Sequence, residues 1–372
     1  MEYVKLKNIA KYPTGKLDSN AAVNDGKYPF FTCAQTAAAI DTYAYDGEYV
    51  LLGGNNANGN FPVFYYKGKF NAYQRTYLIQ PTSDIIDTKY LYYLIRLKIN
   101  QMRSNASGTA TKFLTKPILD NINIEYRSIV DQRRIASILS GYDDLIENNN
   151  KRIQILEKMA ENLYKEWFSY KKVKSSATHI HLGDVLQYTR GISYSSEEIN
   201  NADGLNLINL KNIQSHGGFR RDGTKLYQGK YNKAQEVTRG DLIMGVTDMT
   251  QDRRTVGSVA LIPSMKGISV ISADLIKIDS EISNIFLYAM FRYGNVSKYI
   301  AQFANGANVL HLKPNDILKI KVFMPQRWAI EKYVFSAQLM FDQIAKLNET
   351  NDNLTKQRDM LLPRLMNGTL EI

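Results

Sequence analysis

The most regular pattern of hydrophobic and polar positions lies in the middle of the chain, from Asp131 to about Tyr170. Apolar residues there, with Asn149 filling one gap, follow one another in alternating steps of four and three. This spacing lines one stripe of a helix and is typical of a coiled coil. At 1.5 Å per residue, such a helix is a rod of roughly 50–60 Å, which we interpret as a spacer. The stripe comprises Ile135, Leu139, Tyr142, Ile146, Asn149, Ile153, Leu156, Ala160, Leu163 and Trp167.

A second stripe with the same alternation occupies the last segment of the chain. It comprises Met340, Ile344, Leu347, Asn351, Leu354, Arg358, Leu361 and Leu365. Because an apolar seam is best covered by a similar seam, the two predicted helices are expected to pack together, with Asn149 setting their register. We expect an antiparallel pair with an approximate two-fold axis, a choice that no single residue dictates.

Each predicted rod follows a lobe whose sequence predicts short strands and one helix. In the first lobe, TYAYDGEYVLLGG and NFPVFYYKGKF have the β-branched and aromatic residues of strands. GGNNANGN between them predicts a hairpin connection, because Gly and Asn accept positive φ. A helix is predicted from about Thr88 to Asn100.

The second lobe repeats the first. HIHLGDVLQYTRGI restates YVKLKNIAKYPTGK, with Gly191 on Gly15, and QFANGANVLHLKPNDILKIKV restates NASGTATKFLTKPILDNINI. A helix is predicted between them, from about Ile285 to Phe303. The chain is therefore expected to be a duplicated lobe-plus-rod unit.

These elements predict an α+β fold in which two repeated α/β lobes are separated by two long helices packed as an antiparallel coiled coil. The predicted domains are a first lobe at residues 1–130, a central helical spacer at 131–170, a second lobe at 171–326 and a C-terminal helical region at 327–372.

The net charge of +11 is confined to the lobes. Residues 1–130 carry 15 basic and 10 acidic side chains and residues 171–326 carry 20 and 13, whereas the two rods are nearly neutral. Two basic lobes suit a polyanion that is contacted at two places. With a single cysteine and no apolar run long enough to cross a bilayer, we expect a cytoplasmic protein without membrane contact.

The sequence offers little that is typical of an enzyme. His179 and His181 could form a metal pair on one strand face, but no third ligand has suitable spacing. GGNNANGN lacks the GK[ST] ending of a phosphate-binding loop, and no G-x-S-x-G nucleophile turn occurs. We therefore expect no catalytic, metal or cofactor site in this chain.

Both lobes instead carry loops in which hydrogen-bonding and basic side chains interleave, including Asn105 to Lys112 and Asn305 to His311. Such side chains suit DNA, where Arg and Lys pair with guanine, Asn and Gln with adenine, and Ser and Thr with phosphates. Further candidates in the loops and lobe openings are Lys16, Gln74, Arg75, Arg190, Asn209, Lys211, Thr247, Gln251, Arg253 and Arg254.

Two segments resemble the helical regions of type I restriction–modification specificity subunits. They are QRRIASILSGYDDLIENNNKRIQILEKMAENLYKEWF and LNETNDNLTKQRDMLLPRLMNGTLEI. The lobe openings LKNIAKYPTGK and LGDVLQYTRGI are also similar to that family's domain openings. Asp131-Gln132 and Pro325-Gln326 keep the family's usual helix entry only loosely. This departure concerns where the helices begin.

The resemblance implies a non-catalytic subunit that reads a bipartite double-stranded DNA target, one half-site per lobe, with an unread gap set by the rods. Two methyltransferase subunits would dock on the helices, bring S-adenosylmethionine and methylate adenine, and restriction subunits would join them. In that family the loop after the last helix of each lobe touches DNA. This implies contacts from Ser107, Gly108, Thr109 and Lys112 in the first lobe, and from Asn305, Gly306, Asn308 and His311 in the second.

Two other classes of function stay open at this point. One is a DNA nuclease or modifying enzyme with a site of its own, and the other is a coiled-coil scaffold that binds only protein. Neither the bases of the half-sites nor the length of the gap follows from the residues, because a list of loop residues does not fix which side chain meets which base.

Overall fold

The computed structural model describes residues 2–57, 59–108, 111–168, 177–200 and 202–370. The chain forms two compact units: unit 1 is Met1–Glu147 with Asp352–Ile372, and unit 2 is Asn148–Asn351. Each unit combines one lobe with a segment of each long helix. The domain limits expected from the sequence remain a prediction, because the division into units cuts the long helices and does not test those limits.

The described residues contain eight α-helices, of which two are much longer than the rest. They are α1 (Leu6–Ile9), α2 (Thr88–Asn105), α3 (Lys116–Asp120), α4 (Ile129–Phe168), α5 (Asn284–Arg292), α6 (Val296–Ala301), α7 (Pro314–Leu318) and α8 (Arg327–Asn367). The long helices α4 and α8 confirm the two rods predicted from the seams.

The seam positions are buried or half-buried along both long helices. In unit 2, Nδ2 of Asn149 donates to Oδ1 of Asn351 at 2.9 Å, and the Tyr333 hydroxyl donates to the Ala160 carbonyl at 3.4 Å. In unit 1, Arg358 bonds Asp143. Residue numbers that rise along α4 thus meet numbers that fall along α8, which confirms the antiparallel packing.

Unit 1 is built on a six-stranded sheet in the order β2-β8-β5-β7-β3-β4, with two small ribbons, β1-β10 and β6-β9. The helix α2 packs on β5 and β7, and the core includes Leu91, Leu94 and Ile135 from α2 and α4. The strands are β1 (Glu2–Lys5), β2 (Ala10–Lys11), β3 (Tyr28–Phe31), β4 (Ala38–Ile40), β5 (Tyr45–Gly53), β6 (Asn55–Asn56), β7 (Val63–Ala72), β8 (Thr76–Pro81), β9 (Lys112–Phe113) and β10 (Asn123–Tyr126).

Unit 2 has two four-stranded sheets, β12-β20-β16-β18 and β13-β15-β14-β19, and the ribbons β11-β22 and β17-β21. Its larger core joins α5 to Tyr164 and Tyr333 of the long helices. The strands are β11 (Thr178–His181), β12 (Gln187–Arg190), β13 (Ile199–Asn200), β14 (Leu205–Ile208), β15 (Lys225–Tyr227), β16 (Leu242–Gly245), β17 (Thr247–Asp248), β18 (Val259–Leu261), β19 (Ser269–Ile271), β20 (Leu275–Asp279), β21 (Leu310–His311) and β22 (Lys321–Met324).

The duplication read from the sequence is present in the strand order. The antiparallel series β2-β8-β5-β7 of unit 1 has its counterpart in β12-β20-β16-β18 of unit 2. Gly15 and Gly191 occupy equivalent places: a Cβ would lie 2.2 Å from the Ala72 carbonyl oxygen at Gly15 and 2.1 Å from that of Ser272 at Gly191. Both positions therefore require a residue without a side chain.

Two helix predictions needed correction. The single helix expected from Ile285 to Phe303 is wrong, because α5 ends at Arg292 and a turn precedes α6. Asn295 in that turn is left-handed, with φ 61°, which no α-helix accommodates. The helix expected to end at Asn100 instead continues to Asn105.

The hairpin prediction for GGNNANGN is confirmed, because β5 and β7 pair antiparallel on either side of it, with Leu52 opposite Val63.

Candidate nucleic-acid interface

The loop that follows α2 in unit 1 and the loop that follows α6 in unit 2 close in the same way. Ser107 and Phe113 exchange backbone hydrogen bonds of 3.2 and 2.8 Å, and Asn305 and His311 exchange bonds of 3.0 and 2.9 Å. Each loop thus spans the same number of residues and is held at its base by a bridge.

Both closed loops depend on a glycine directly after the first bridging residue. Gly108 has φ 104° and Gly306 has φ 150°, values that favour glycine. A Cβ would lie 2.0 Å from the Thr111 carbonyl oxygen at Gly108 and 1.9 Å from that of Val309 at Gly306. The family resemblance implies that these two glycines contact DNA. In the structure, they allow a turn that a residue with a side chain could not form.

In unit 1, a second loop joins this one to form what we call loop cluster 1. It consists of the loop 54–60, which contains β6, the closed loop 107–113, which contains β9, and the turn Gln74–Arg75. Asn55 pairs with Phe113 and Asn56 with Lys112 across the ribbon. The Gly54 N–H donates to the Arg75 carbonyl at 2.7 Å. The structure therefore brings Gln74, Arg75, Ser107, Gly108 and Lys112 together.

The Arg75 side chain lies over an aromatic ring in this cluster. Its guanidinium carbon is 5.4 Å from the centre of the Phe113 ring, and the Arg75 side chain is exposed. A stacked guanidinium is held in one plane while its N–H groups stay available. Such an arginine can meet the acceptors of a guanine or a phosphate in a fixed geometry.

Sequence reasoning missed several polar residues of loop cluster 1. Asn60 accepts from Arg103 Nη1 at 3.3 Å, and its carbonyl accepts from Gln35 Nε2 at 2.6 Å. The Asn55 Oδ1 atom is buried and has no hydrogen-bond partner among the described residues. The sequence predicts GGNNANGN only as a hairpin connection, although its Asn55 and Asn56 pair directly with the basic closed loop.

In unit 2, the equivalent residues form loop cluster 2, which consists of the ribbon β17-β21, the closed loop 305–311 and the long loop 248–256. Thr247 pairs with His311 and Asp248 with Leu310. The Gln251 amide donates to the Ala307 carbonyl at 2.9 Å and ties the long loop to the closed one. Thr247, Gln251, Asn305, Gly306, Asn308 and His311 are therefore neighbours.

A buried carboxylate organises the long loop of cluster 2. Asp248 is 2% exposed and accepts from the N–H groups of Thr250, Thr255 and Val256 at 2.8, 2.7 and 3.3 Å, and from the Thr250 hydroxyl at 2.9 Å. Burial alone would raise the pKa of Asp248, but the hydrogen bonds from Thr255 and Thr250 outweigh it and hold the pKa below its ordinary value. Asp248 is absent from the residues that the sequence predicts for the interface.

Arg253 and Arg254 are exposed and lie on the loop 248–256, which is organised by Asp248. Arg253 has φ 53°, an uncommon conformation for a residue with a side chain. The carbonyl of Arg254 accepts from the His216 N–H at 2.8 Å and from the Ser258 hydroxyl at 2.9 Å, and its guanidinium pairs with Asp252. The backbone under both arginines is thus fixed.

The remaining predicted residues lie elsewhere or are engaged. Lys16 is exposed and precedes Leu17, whose carbonyl accepts from the Gln74 N–H at 2.8 Å, so it flanks cluster 1. Arg190 ends the edge strand β12, and Lys211 lies in the turn after β14. Asn209 is 4% exposed and its side chain bonds backbone atoms of Gly223 and Lys211, so we leave it out of the interface. Thr109 lies outside the described residues.

The histidine pair considered for a metal is accounted for by packing. The His179 ring lies 4.0 Å from that of Phe323, and His181 Nδ1 is 2.9 Å from the Lys319 carbonyl. Within the described ranges, no three His, Cys, Asp or Glu residues are grouped so that they could hold a metal ion. No helix among the described residues is long and apolar enough to cross a membrane.

Comparison with known proteins gives a consistent set of matches. Residues 1–158 match the family described as the type I restriction modification DNA specificity domain. The type I restriction enzyme EcoDI specificity subunit of Escherichia coli is 39% identical over 179 residues, which are 45% of this chain and 39% of that protein. The MjaIX specificity subunit of Methanocaldococcus jannaschii is 26% identical over 318 residues, 78% of this chain and 70% of that protein.

The fold has a counterpart among solved structures. A type I restriction–modification system S subunit from M. genitalium superposes with a TM-score of 0.60 at 16% identity, over 98% of this chain and 95% of that one. At this identity the likeness concerns the fold. The chain is thus similar in sequence to type I restriction–modification specificity subunits and similar in fold to one of them.

Proposed function

We propose that this chain is the DNA-reading subunit of a type I restriction–modification complex, with loop cluster 1 on one half of a bipartite target and loop cluster 2 on the other. The observation that carries this proposal is the repeated closed loop. Residues 107–113 and 305–311 have the same span, bridge and obligatory glycine, and each is paired with a second polar loop. Two closed loops with the same backbone structure, one in each lobe, suit a DNA target with two half-sites.

The side chains of both clusters suit DNA. Arg75, Lys112, Arg253 and Arg254 carry the positive charge that phosphates and guanine edges attract, and the Gln and Asn residues beside them can pair with adenine. The lobes also hold the excess of basic residues, while the long helices are nearly neutral. The proposed contact is therefore concentrated where the charge lies.

In this proposal, two methyltransferase subunits dock on the long helices and bring S-adenosylmethionine, restriction subunits join the complex, and this chain itself carries out no catalysis. Apolar side chains on the outer faces support the docking. Phe335 and Leu339 of α8 are 79% and 65% exposed, and Ile155 and Met159 of α4 are 60% and 48% exposed. Each pair is four residues apart and so shares one helix face. Neighbouring exposed apolar residues favour a protein partner.

The decisive experiment is to co-express the full chain with its methyltransferase subunit and to read methylated adenines in genomic DNA by sequencing. We expect one bipartite motif with a fixed gap, which disappears when this chain is omitted. Methylation that persists without the chain, or a motif in one piece, would count against the proposal. Cleavage of DNA by the purified chain alone would favour the nuclease alternative.

A binding measurement addresses the interface directly. Replacing Arg253 and Arg254 with Gln, or Lys112 with Gln, should weaken binding to a DNA duplex containing the motif. The log–log salt slope should also fall in magnitude by about one unit for each phosphate that a basic side chain no longer neutralises. Unchanged binding in these variants would place the DNA contact on other residues. If the wild-type chain binds no DNA even at low salt with the methyltransferase present, a scaffold that binds only protein is favoured.

A further inference from the structure

A short motif recurs in the principal helix of each lobe. Helix α2 contains Leu91-Tyr92 followed by Arg96, and α5 contains Leu287-Tyr288 followed by Arg292, so both read L-Y-x-x-x-R. Tyrosine and arginine four residues apart lie on one face of a helix. In both units this face meets the long helices, and neither arginine belongs to a loop cluster.

In unit 2, Arg292 is enclosed by groups from its own helix and from α4. Its Nη1 lies 3.3 Å from Oε1 of Glu157 on α4 and also bonds the Tyr288 hydroxyl. The guanidinium carbon lies 5.5 Å from the centre of the Tyr288 ring and 5.7 Å from that of Tyr293. The Tyr288 ring packs edge-on against Phe341 of α8 at 5.5 Å. One arginine thus ties the lobe to a single position on α4.

Unit 1 repeats the arrangement with different partners. Arg96 Nη1 donates to the Tyr92 hydroxyl at 3.2 Å and lies 3.7 Å from Oδ2 of Asp143 on α4. The Tyr93 hydroxyl donates to the same carboxylate at 2.6 Å, and Arg358 of α8 bonds its other oxygen. Asp143 is therefore shared between the lobe helix and both long helices.

These contacts differ in kind from the apolar packing around them. The arginine side chains are only 24% and 19% exposed, and their acidic partners 28% and 33%. Apolar contacts are non-directional, whereas a partly buried guanidinium is satisfied only when a carboxylate and the ring faces stand in particular places. Burying such a pair adds little net stability, and its use is to select one geometry over its neighbours.

We propose that Arg96 and Arg292 are positioning residues that hold each lobe at one angle on the long helices and thereby set the gap length that the protein accepts. This inference rests on the proposed function. Loss of either arginine lets its lobe rock on the apolar contacts, so that a half-site displaced by a base pair can still be reached. The loops that meet the bases are untouched, and the bases read in each half-site stay the same.

The test compares methylation patterns of cells that express the full chain with its methyltransferase. Arg292→Met and Arg96→Met should each increase methylation at motifs whose gap is one base pair shorter or longer by about fivefold, which corresponds to about 1 kcal/mol of orientational preference. Arg292→Lys keeps a cation near Glu157 and Tyr288, and it should return the gap distribution most of the way to that of the wild type.

The matched control is Arg327→Met, because Arg327 pairs only with Glu331 of its own helix within the described residues and is 93% exposed. It removes the same charge and should leave the gap unchanged. If Arg292→Met lowers the melting temperature so far that the protein is not recovered, Glu157→Gln weakens the same contact and gives the same readout. An unchanged gap in a folded variant, or an altered half-site sequence, overturns the proposal.

Failure of this inference differs from failure of the proposed function. If the wild-type chain directs no bipartite methylation, the proposed function fails. If it does so and the arginine variants keep the wild-type gap, only the positioning role fails.

Discussion

Loop clusters 1 and 2 share a backbone support and differ in what holds their second loop, which is 54–60 in cluster 1 and 248–256 in cluster 2. In cluster 1, that loop runs through Gly and Asn residues and is touched from outside, by Arg103 and Gln35 on Asn60. In cluster 2, the loop is organised from inside, by the buried carboxylate of Asp248. The backbone structure of the closed loop is thus the same in both clusters, whereas the side chains around it differ. Under the proposed function, two copies of one fold therefore read two different half-sites.

The largest effect is expected from disrupting the closed loop that both clusters contain. Gly108→Ala and Gly306→Ala each place a Cβ about 2 Å from a carbonyl oxygen, so the closed loop must open. The local cost should exceed about 1 kcal/mol, because φ is also positive at both positions. We expect each variant to lose recognition of its own half-site, measured by binding to DNA duplexes in which the other half-site is scrambled.

Gly141→Ala is the matched control for these substitutions. Gly141 lies inside α4, and a Cβ there would meet nothing within 4 Å. This variant should leave DNA recognition unchanged and stabilise the helix by about 0.5–1 kcal/mol, seen as a higher melting temperature. Equal loss of recognition in all three variants would show that the effect does not come from the closed loops.

An intermediate effect is expected from Asp248→Asn, which acts on cluster 2 alone. The amide keeps one acceptor but loses the charge that four donors surround, at a cost of about 2 kcal/mol. Affinity for the second half-site should fall while affinity for the first stays the same. Asp222→Asn, at a side chain that is 71% exposed, is the control. Equal losses at both half-sites would contradict the division between the clusters.

The same carboxylate predicts a pH dependence. Because the folded-state pKa of Asp248 is held below its ordinary value, its contribution to stability is fully present above the unfolded-state pKa, about 3.9. That contribution is lost as the pH falls through the depressed folded-state pKa. The difference in melting temperature between wild type and Asp248→Asn should therefore be constant near neutral pH and shrink in acid. A difference that grows in acid would show that Asp248 does not have a lowered pKa.

The smallest effect is expected from Arg75→Lys in cluster 1. Lysine keeps the charge but loses the planar stack on Phe113 and the fork of N–H donors. If Arg75 meets a guanine, discrimination at one base pair of the first half-site should relax by about 1 kcal/mol with little change in the salt slope, because lysine keeps the charge. Competition binding with singly substituted duplexes measures it. If discrimination is unchanged, Arg75 contacts only the phosphates.

The long helices and the duplication could be predicted because their signals are local and periodic. The seams indicated both α4 and α8 and included both members of the Asn149–Asn351 pair. The break between α5 and α6 could not be found by periodicity, because apolar residues continue through it. The Gly294-Asn295 step was the only local sign of the turn.

The candidate site was harder to predict because its pieces are brought together over long distances in the chain. Asn55 and Phe113 share a ribbon although 57 other residues separate them, and nothing near either one indicates the other. The carboxylate of Asp248 binds donors that follow it, but only the fold decides that it is buried. The repeated arginine motif is visible when the lobes are aligned, yet its partners Asp143 and Glu157 are not equivalent positions of the repeat.

Each lobe is closed at its base by its own first and last strands, with Glu2 opposite Tyr126 in unit 1 and Thr178 opposite Met324 in unit 2. In genetic terms, one uninterrupted stretch of coding sequence specifies a whole lobe, and its product begins and ends at the same point of the fold. One crossover on each side of that stretch exchanges a whole lobe and leaves the coding sequence of both long helices intact. Under the proposed function, such an exchange replaces one half-site.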